Sequence, residues 1–490
     1  MPRDRRLGDG DRKLFTLVSA AAYANPFGEQ RTSLDAAITE AAAGEPGWTP
    51  RMLQRVGARL TALGVNGKLD VRDFGERDRA LVEDSVLFEA FHRILTPLDA
   101  YIGAQERALD ASLRVPFARD CLRELVARGI SPERARRMLE LFYQMRRAFY
   151  FISRGLVGDS RCMRQLRETL WEAVFTRDIR RYERHLWNRM EDFSTIIVGE
   201  TGTGKGAAAA AIGLSGFIPW NDKAEAFAHN LQASLLPIHL NEFPESLFES
   251  EIFGHRKGAF TGAVGNYEGA LSRCREHASV FFDEIGEATL PVQVKLLRVL
   301  QERVFTPVGS REYKRFAGRI LAATHRSLPE LRAQGALRDD FFYRLCSNMI
   351  EVPPLRMRLA QAPAELAQLV RHLCARITGS EDSELAAEVT ASIERDLGAS
   401  YPFPGNVREL EQCVRRVLLT GACARDDRRA HAQDQALAQA FSGGALTAEQ
   451  LVQRYCAALY ARHESFVEVA RITGLDRRTV KKHVETQQSQ

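Results

Sequence analysis

The sequence contains no CxxC pair. Its eight cysteines are scattered from Cys121 to Cys456, which argues against a zinc knuckle or a disulfide framework and leaves buried, reduced thiols as the expectation. It has no apolar run of about 18 residues, so no transmembrane helix is expected. The basic start, MPRDRRLGDGDRK, lacks the apolar centre of a secretory signal, and the expected location is the cytoplasm. No internal repeat with a period of about 20–50 residues is visible. A large net charge is also missing: +5 over 490 residues says little about partners. What is present is ordinary for a globular protein, with 45% hydrophobic and 27% charged residues. The length calls for about three folding units.

Composition divides the chain into zones. Residues 1–170 are mostly helical in pattern: Leu122, Leu125 and Val126, then Met138, Leu139, Leu141 and Phe142, recur at helical spacing. Residues 171–352 alternate helical stretches with short apolar runs at Thr195–Val198, Leu236–Leu240, Val280–Phe282 and Arg319–Ala323. Such runs suit buried parallel strands in an α/β sheet covered by helices. Residues 353–425 read as a helical lid, 426–444 as a linker and 445–490 as a small all-α domain. Arginine is dense from Arg134 to Arg189. The simpler reading is a solvated helical face with arginine stems over apolar neighbours; the other is a site for an anionic ligand or nucleic acid.

Gly199-Glu200-Thr201-Gly202-Thr203-Gly204-Lys205-Gly206 follows the first apolar run and precedes the helix-favouring Ala207–Ile212. Strand, glycine loop and helix are the context of a P-loop. Glycines let backbone N–H groups turn inward onto phosphates, and the helix N-terminus adds positive potential. Lys205 is expected to reach the β- and γ-phosphates of ATP. The next residue is Gly206, so the usual hydroxyl ligand for Mg²⁺ is missing. Asp283, at the tip of the Val280–Phe282 run, is the candidate for that metal. Glu284 is the candidate base for the attacking water.

Glu249 to Ala263 reads ESEIFGHRKGAFTGA. With the P-loop, this segment resembles the bacterial enhancer-binding proteins, AAA+ activators of the sigma-54 form of RNA polymerase. The resemblance covers about residues 195–425 and the C-terminal tail. It implies that Gly258, Ala259, Phe260, Thr261, Gly262 and Ala263 tip a surface loop that touches sigma-54. Glycines at both ends allow reversal, and an exposed Phe260 between them is costly unless it meets a partner. By the same resemblance Arg338 and Arg344 are arginine fingers acting on the neighbouring subunit's nucleotide, with Arg338 preferred, although either could pair with Asp339 or Asp340. His325 is the sensor near the γ-phosphate, and Arg408 is the lid's nucleotide contact. The fingers imply a homo-oligomer, a hexameric ring when active and a dimer at rest. One departure concerns the asparagine that restrains the catalytic glutamate in the family. His239 stands in its place, with Asn241 two residues on and on the same strand face.

The tail, from Phe466 to His483, reads helix, Gly474, helix. Asp476 is placed to cap the second helix, with Val480 and Val484 inward. Arg477, Arg478, Thr479, Lys481 and Lys482 lie on its outer side. This resembles the Fis-type helix-turn-helix of the same activators, which implies double-stranded DNA upstream of promoters as a partner. No apolar strand near the start ends in paired aspartates, so phosphorelay control is not expected. Residues 1–165 are expected to hold or release the ATPase in response to a signal. Glu168 to Ser194 reads as an insertion before the P-loop, a helix or helical hairpin. Two other functions remain: a different DNA-binding AAA+ ATPase such as a replication initiator, and a non-enzymatic repressor. The GAFTGA hexapeptide opposes the first; Lys205, Asp283, Glu284, Arg338 and Arg344 oppose the second.

Overall fold

The computed structural model describes residues 5–40, 48–65, 67–108, 112–423, 447–463 and 465–488; the expected linker over 426–444 lies outside them. Among the described residues nine strands are seen: β1 Thr195–Val198, β2 Trp220–Asn221, β3 Ala226–Phe227, β4 Leu235–His239, β5 Ser279–Asp283, β6 Val304–Phe305, β7 Lys314–Arg315, β8 Arg319–Thr324 and β9 Asn348–Glu351. Five of them form a parallel sheet in the order β4-β5-β8-β1-β9. All four expected strands are present, within a residue or two at the ends. The fifth, β9, carries no apolar run that marks it as a strand. Among its four residues only Ile350 is buried, because β9 is an edge strand.

The sheet alternates as a two-residue period requires. Ile196, Val280, Phe282, Ile320 and Ala322 face one apolar cluster. Ile197, Phe281, Leu321, Ala323 and Ile350 face the other. This second cluster runs on without interruption to Leu7, through the helices Asp9–Ala22, Glu76–Arg93, Pro132–Gly155 and Arg161–Phe175. Residue 170, where composition changes, lies inside the last of these helices. Residues 1–372 with 402–410 make one unit, and residues 373–401 with 411–490 a second.

The P-loop helix, Lys205–Gly213, carries five consecutive alanines, Ala207–Ala211, which leaves a smooth surface for close approach. Helix Pro132–Gly155 seals the chain at its far end. Arg147, with no exposed surface, donates to the carbonyls of Leu214 at 2.7 Å and Gly216 at 2.5 Å. Gln144 takes the intervening Ser215 carbonyl at 3.0 Å. A cation at the C-terminal end of a helix also meets the negative pole of its dipole. Arg147 stacks on the Tyr143 ring at 4.3 Å, so its charge is shared with carbonyls and a ring rather than a carboxylate.

The stretch before β1 is neither an added helix nor a hairpin. Its first part, Glu168–Phe175, completes the helix Arg161–Phe175. Thr176 then takes a left-handed φ of 62° and ends it. Asp178 caps a single turn, Ile179–Arg181, which runs into a five-residue π turn, Tyr182–Leu186. Arg319 of β8 fastens these pieces: it donates to the carbonyls of Phe193 (2.8 Å) and Ala173 (2.9 Å) and to Thr195 Oγ1 (2.9 Å). Burial pulls its guanidinium down to about 10; it is satisfied by neutral oxygens, with Tyr182 nearby favouring its charge.

In the second unit the helices Ala448–His463, Phe466–Thr473 and Arg477–Gln488 close on Cys456, Leu459, Val469, Val480 and Val484. Asp476 Oδ1 accepts from the backbone N–H groups of Arg478 (2.8 Å) and Thr479 (3.1 Å), as its N-cap reading expects. Gly474 turns the chain at φ 70°. No disulfide joins the eight cysteines; five are buried, and Cys162, Cys274 and Cys346 are partly exposed.

Arg147→Met should lower unfolding free energy by roughly 2–3 kcal/mol, since it strands two buried carbonyls. Urea titration of the full chain measures it. Stability equal to that of the parent would show that the carbonyls find other partners.

A candidate nucleotide site and its output loop

The P-loop leaves β1 and enters its helix through three glycines with positive φ: Gly199 at 154°, Gly202 at 79° and Gly204 at 105°. Side chains are disfavoured there by backbone geometry alone. At Gly202 space forbids one too: an added Cβ would lie 2.3 Å from the Gly405 carbonyl oxygen. Above Gly204 and Gly206 nothing lies within 4 Å, so the loop keeps an open side for phosphates. Lys205 Nζ donates to the carbonyls of Gly199 (3.0 Å) and Glu200 (3.2 Å), and Thr203 Oγ1 to that of Glu200 (2.8 Å). Burial pulls the Lys205 ammonium below its usual range, while the Glu284 and Asp283 charges work against that pull.

The first unit also supplies residues that sequence reading assigned no role. Asn406, fully buried and at a left-handed φ of 54°, bonds Leu355 N at 2.8 Å, Thr201 O at 3.0 Å and Glu200 Oε2 at 3.2 Å. Arg356 grips Glu200 with both nitrogens, at 2.6 and 2.7 Å, and holds its carboxyl below the usual range. Arg408 donates its backbone N–H to Gly202 O at 3.3 Å, which brings it to the phosphate loop. The one available signal was an Asn after Pro-Gly, a residue pair that favours a left-handed turn.

At the tip of β5, Asp283 and Glu284 diverge. Glu284 takes φ 57°, and its Oε2 meets His325 Nδ1 at 2.7 Å and His325 N at 3.2 Å. His239 Nδ1 meets Asp283 Oδ2 at 3.3 Å instead. The glutamate is thus held by His325, not by His239; the Asn241 side chain lies outside the described residues. Asp283 keeps a partly exposed carboxylate facing the P-loop side. Mg²⁺ binds through one or two carboxylates plus phosphates and waters, so the residues present fit it despite Gly206.

The segment 258–263 forms a tight reversal. Gly258 (φ 81°) and Gly262 (φ 101°) flank it, and Gly258 N bonds Ala263 O at 2.9 Å. Phe260 is 38% exposed; its other side rests edge-on against His255, 4.9 Å between ring centres. Ala263 is buried. The β6–β7 hairpin braces the loop: Arg256 N bonds Val308 O at 3.0 Å and Val308 N bonds Gly254 O at 2.8 Å, while Arg256 pairs with Glu312 at 2.5 Å.

Residues 176–351 match the sequence profile of the sigma-54 interaction domain. This segment is a sigma-54 interaction domain. The parallel sheet and its covering helices are the α/β fold of AAA+ ATPases. The chain is 40% identical over 250 residues to the transcriptional regulatory protein GlrR of Escherichia coli K12, covering 50% of this chain and 52% of GlrR. It is 38% identical to the sigma54-dependent transcriptional activator SfnR of Pseudomonas putida, over 46% of this chain and 57% of SfnR. The chain thus spans about half the length of these relatives. NtrX from Brucella abortus, solved in complex with ATP, aligns at 20% identity and TM-score 0.41, over 74% of this chain and 78% of that one.

Within the sigma-54 interaction domain, Arg338 is tied by both nitrogens to its own Asp340, at 2.8 and 3.0 Å. Arg344 forms no ion pair among the described residues and is exposed. Arg338 N also bonds Gln293 Oε1 at 3.0 Å. Gln293, fully buried, donates to the carbonyls of Ala288 and Ala336, each at 2.8 Å. It therefore bridges the chain leaving Glu284 to the arginine segment. A lone Gln among Val292, Leu296 and Val299 on a buried helix face was its sequence signature. In the second unit Arg477, Arg478, Lys481 and Lys482 are exposed and Thr479 bonds Asp476.

Asn406→Ala should weaken nucleotide binding about tenfold, or ~1.4 kcal/mol, by freeing the P-loop and straining φ. Titration with a fluorescent ATP analogue reads this directly. Unchanged affinity would leave Asn406 a purely structural residue.

Proposed function

We propose that this protein is an ATP-dependent transcriptional activator that binds upstream double-stranded DNA and remodels the closed complex of sigma-54 RNA polymerase into an open complex. The GAFTGA reversal, braced on the same domain as an open P-loop, carries this reading. Lys205 and the loop Gly199–Gly206 hold the ATP phosphates, with Arg408 close by. Asp283 holds Mg²⁺, which supplies charge neutralisation at the phosphates when bound. Glu284 orients and deprotonates the attacking water. His325 Nδ1 meets Glu284 Oε2 at 2.7 Å, which supports a role for His325 as the group that positions the base. Arg338 and Arg344 complete the neighbouring subunit's site in a ring, taken as hexameric when active and dimeric at rest. The exposed Arg344 is ready for this; Arg338 must first leave Asp340.

Phe260 and the residues around it meet sigma-54. A half-exposed aromatic on a glycine-flanked tip fits a protein contact better than a buried one. The basic helix Arg477–Gln488, presenting Arg477, Arg478, Lys481 and Lys482, supports major-groove binding. No described helix is long and apolar enough to cross a membrane, and action beside the chromosome in the bacterial cytoplasm belongs to the same proposal.

The full chain is the right material for tests, because a fragment beginning near residue 170 would strip Arg147 and Gln144 from the P-loop helix. Glu284→Gln should retain ATP and lose turnover by roughly 100-fold or more. Phe260→Ala should keep ATP hydrolysis while losing open-complex formation with sigma-54 polymerase. Permanganate footprinting alongside phosphate release separates the two, and normal promoter opening by Phe260→Ala would refute the loop assignment.

A further inference from the structure

The arginine-dense stretch does not lie on one solvated face. Arg134 heads the helix Pro132–Gly155, while Arg180 and Arg184 stand in the broken turns before β1. The fold carries them to Arg12 of the helix Asp9–Ala22 and Arg77 of the helix Glu76–Arg93. All five line one cleft of 510 Å³, within the size of small-molecule sites.

Carboxylates in the cleft, with Asp78 beside it, account for three of these arginines. Arg12 pairs with Asp78 at 3.1 Å, Arg180 with Asp84 at 2.8 Å, and Arg134 with Glu83 at 3.1 Å and with Glu183. Ser19 and Tyr23 also donate to Asp84, at 2.5 and 3.0 Å, which fixes the wall. Arg77 and Arg184 are left exposed, with no side-chain hydrogen bond or ion pair among the described residues, although Arg77 lends its charge to Asp78. Five arginines therefore meet four carboxylates, an excess of one positive charge, and Arg77 and Arg184 are the two that no acid holds at ion-pair distance among the described residues. Concavity separates it from the open basic stripe that a nucleic-acid backbone follows.

We propose that this cleft binds a small phosphorylated metabolite, with Arg77 and Arg184 as its principal contacts. Guanidinium forks match phosphate oxygens in pairs. One wall is the turn that holds Tyr182, which is buried and donates to Gln144 Oε1 at 2.9 Å; Gln144 in turn holds the Ser215 carbonyl beyond the P-loop helix. A ligand bridging Arg77 to Arg184 would draw the N-terminal helices onto the segment that leads into β1. The proposal is independent of the sigma-54 reading.

The test is calorimetric titration of inorganic pyrophosphate into the full-length Lys205→Ala protein, in which the P-loop lysine is removed. Saturable binding is expected, weakened at least tenfold when Arg77→Ala and Arg184→Ala are added. Both side chains are exposed, so thermal melting should be unchanged by them. Absence of saturable binding, or equal binding with and without the two arginines, overturns the proposal. Mixed-sequence duplex DNA is the second probe: if the two substitutions abolish duplex binding and leave pyrophosphate binding intact, the arginines serve nucleic acid and the proposal also fails.

Discussion

A buried arginine at the far end of the P-loop helix is the constraint on which the rest depends. Arg147 has no carboxylate partner; carbonyls of Leu214 and Gly216 and the ring of Tyr143 receive its charge. Its two terminal nitrogens are satisfied by those carbonyls while Nε has no partner; losing either carbonyl would leave the buried cation still less satisfied, so the helix Pro132–Gly155 and the P-loop helix must keep one relative position. Arg319 repeats the device one layer away, joining β8, β1 and the helix Arg161–Phe175 through neutral oxygens. Between them the two arginines make the N-terminal helices part of the ATPase core. Any signal received there already touches the phosphate-binding element.

The same logic of satisfied polar groups runs outward from the carboxylates Asp283 and Glu284. Glu284 is held by His325, and the chain after it reaches Ala288, whose carbonyl is bonded by Gln293. Gln293 lies on the helix Leu290–Glu302, which leads into the β6–β7 hairpin. That hairpin bonds Gly254 and Arg256, the residues from which the 258–263 reversal springs. The chain of contacts is continuous from the base to Phe260. It offers a physical route by which a change at Glu284 moves the loop, and coupling along it is what functional measurements must establish.

The phosphate loop, the carboxylate pair and the GAFTGA segment were readable in the sequence because each is a contiguous string whose chemistry depends on local backbone. Glycines at 199, 202 and 204 all take positive φ, and the added crowding of Gly202 by the Gly405 carbonyl comes from a distant part of the chain. The four apolar runs announced strands because both faces of a parallel sheet are buried. Edge strand β9 buries one residue and so gave no such signal. The broken segment after Phe175 was misread as helix because its composition is helical, while Thr176 and Asp178 interrupt it by backbone geometry and capping.

Long-range partners were decided only by the tertiary structure. Nothing local in Arg147 or Arg319 tells a buried polar side chain from a solvated one, and the apolar neighbours of Gln293 mark its face as buried without naming its partners. Their partners lie 67, 126 and 43 residues away in the chain. The exchange of histidines has the same origin: spacing put His239 beside the catalytic glutamate, and the sheet register set it against Asp283 while the end of β8 brought His325 to Glu284. By itself the sequence determined which chemistry this protein carries, since motifs are short and their atoms are neighbours in the chain. Which residues restrain that chemistry, and which arginines converge on one cleft, was decided by packing, because burial brings distant segments together and each buried polar atom takes the partner it meets there.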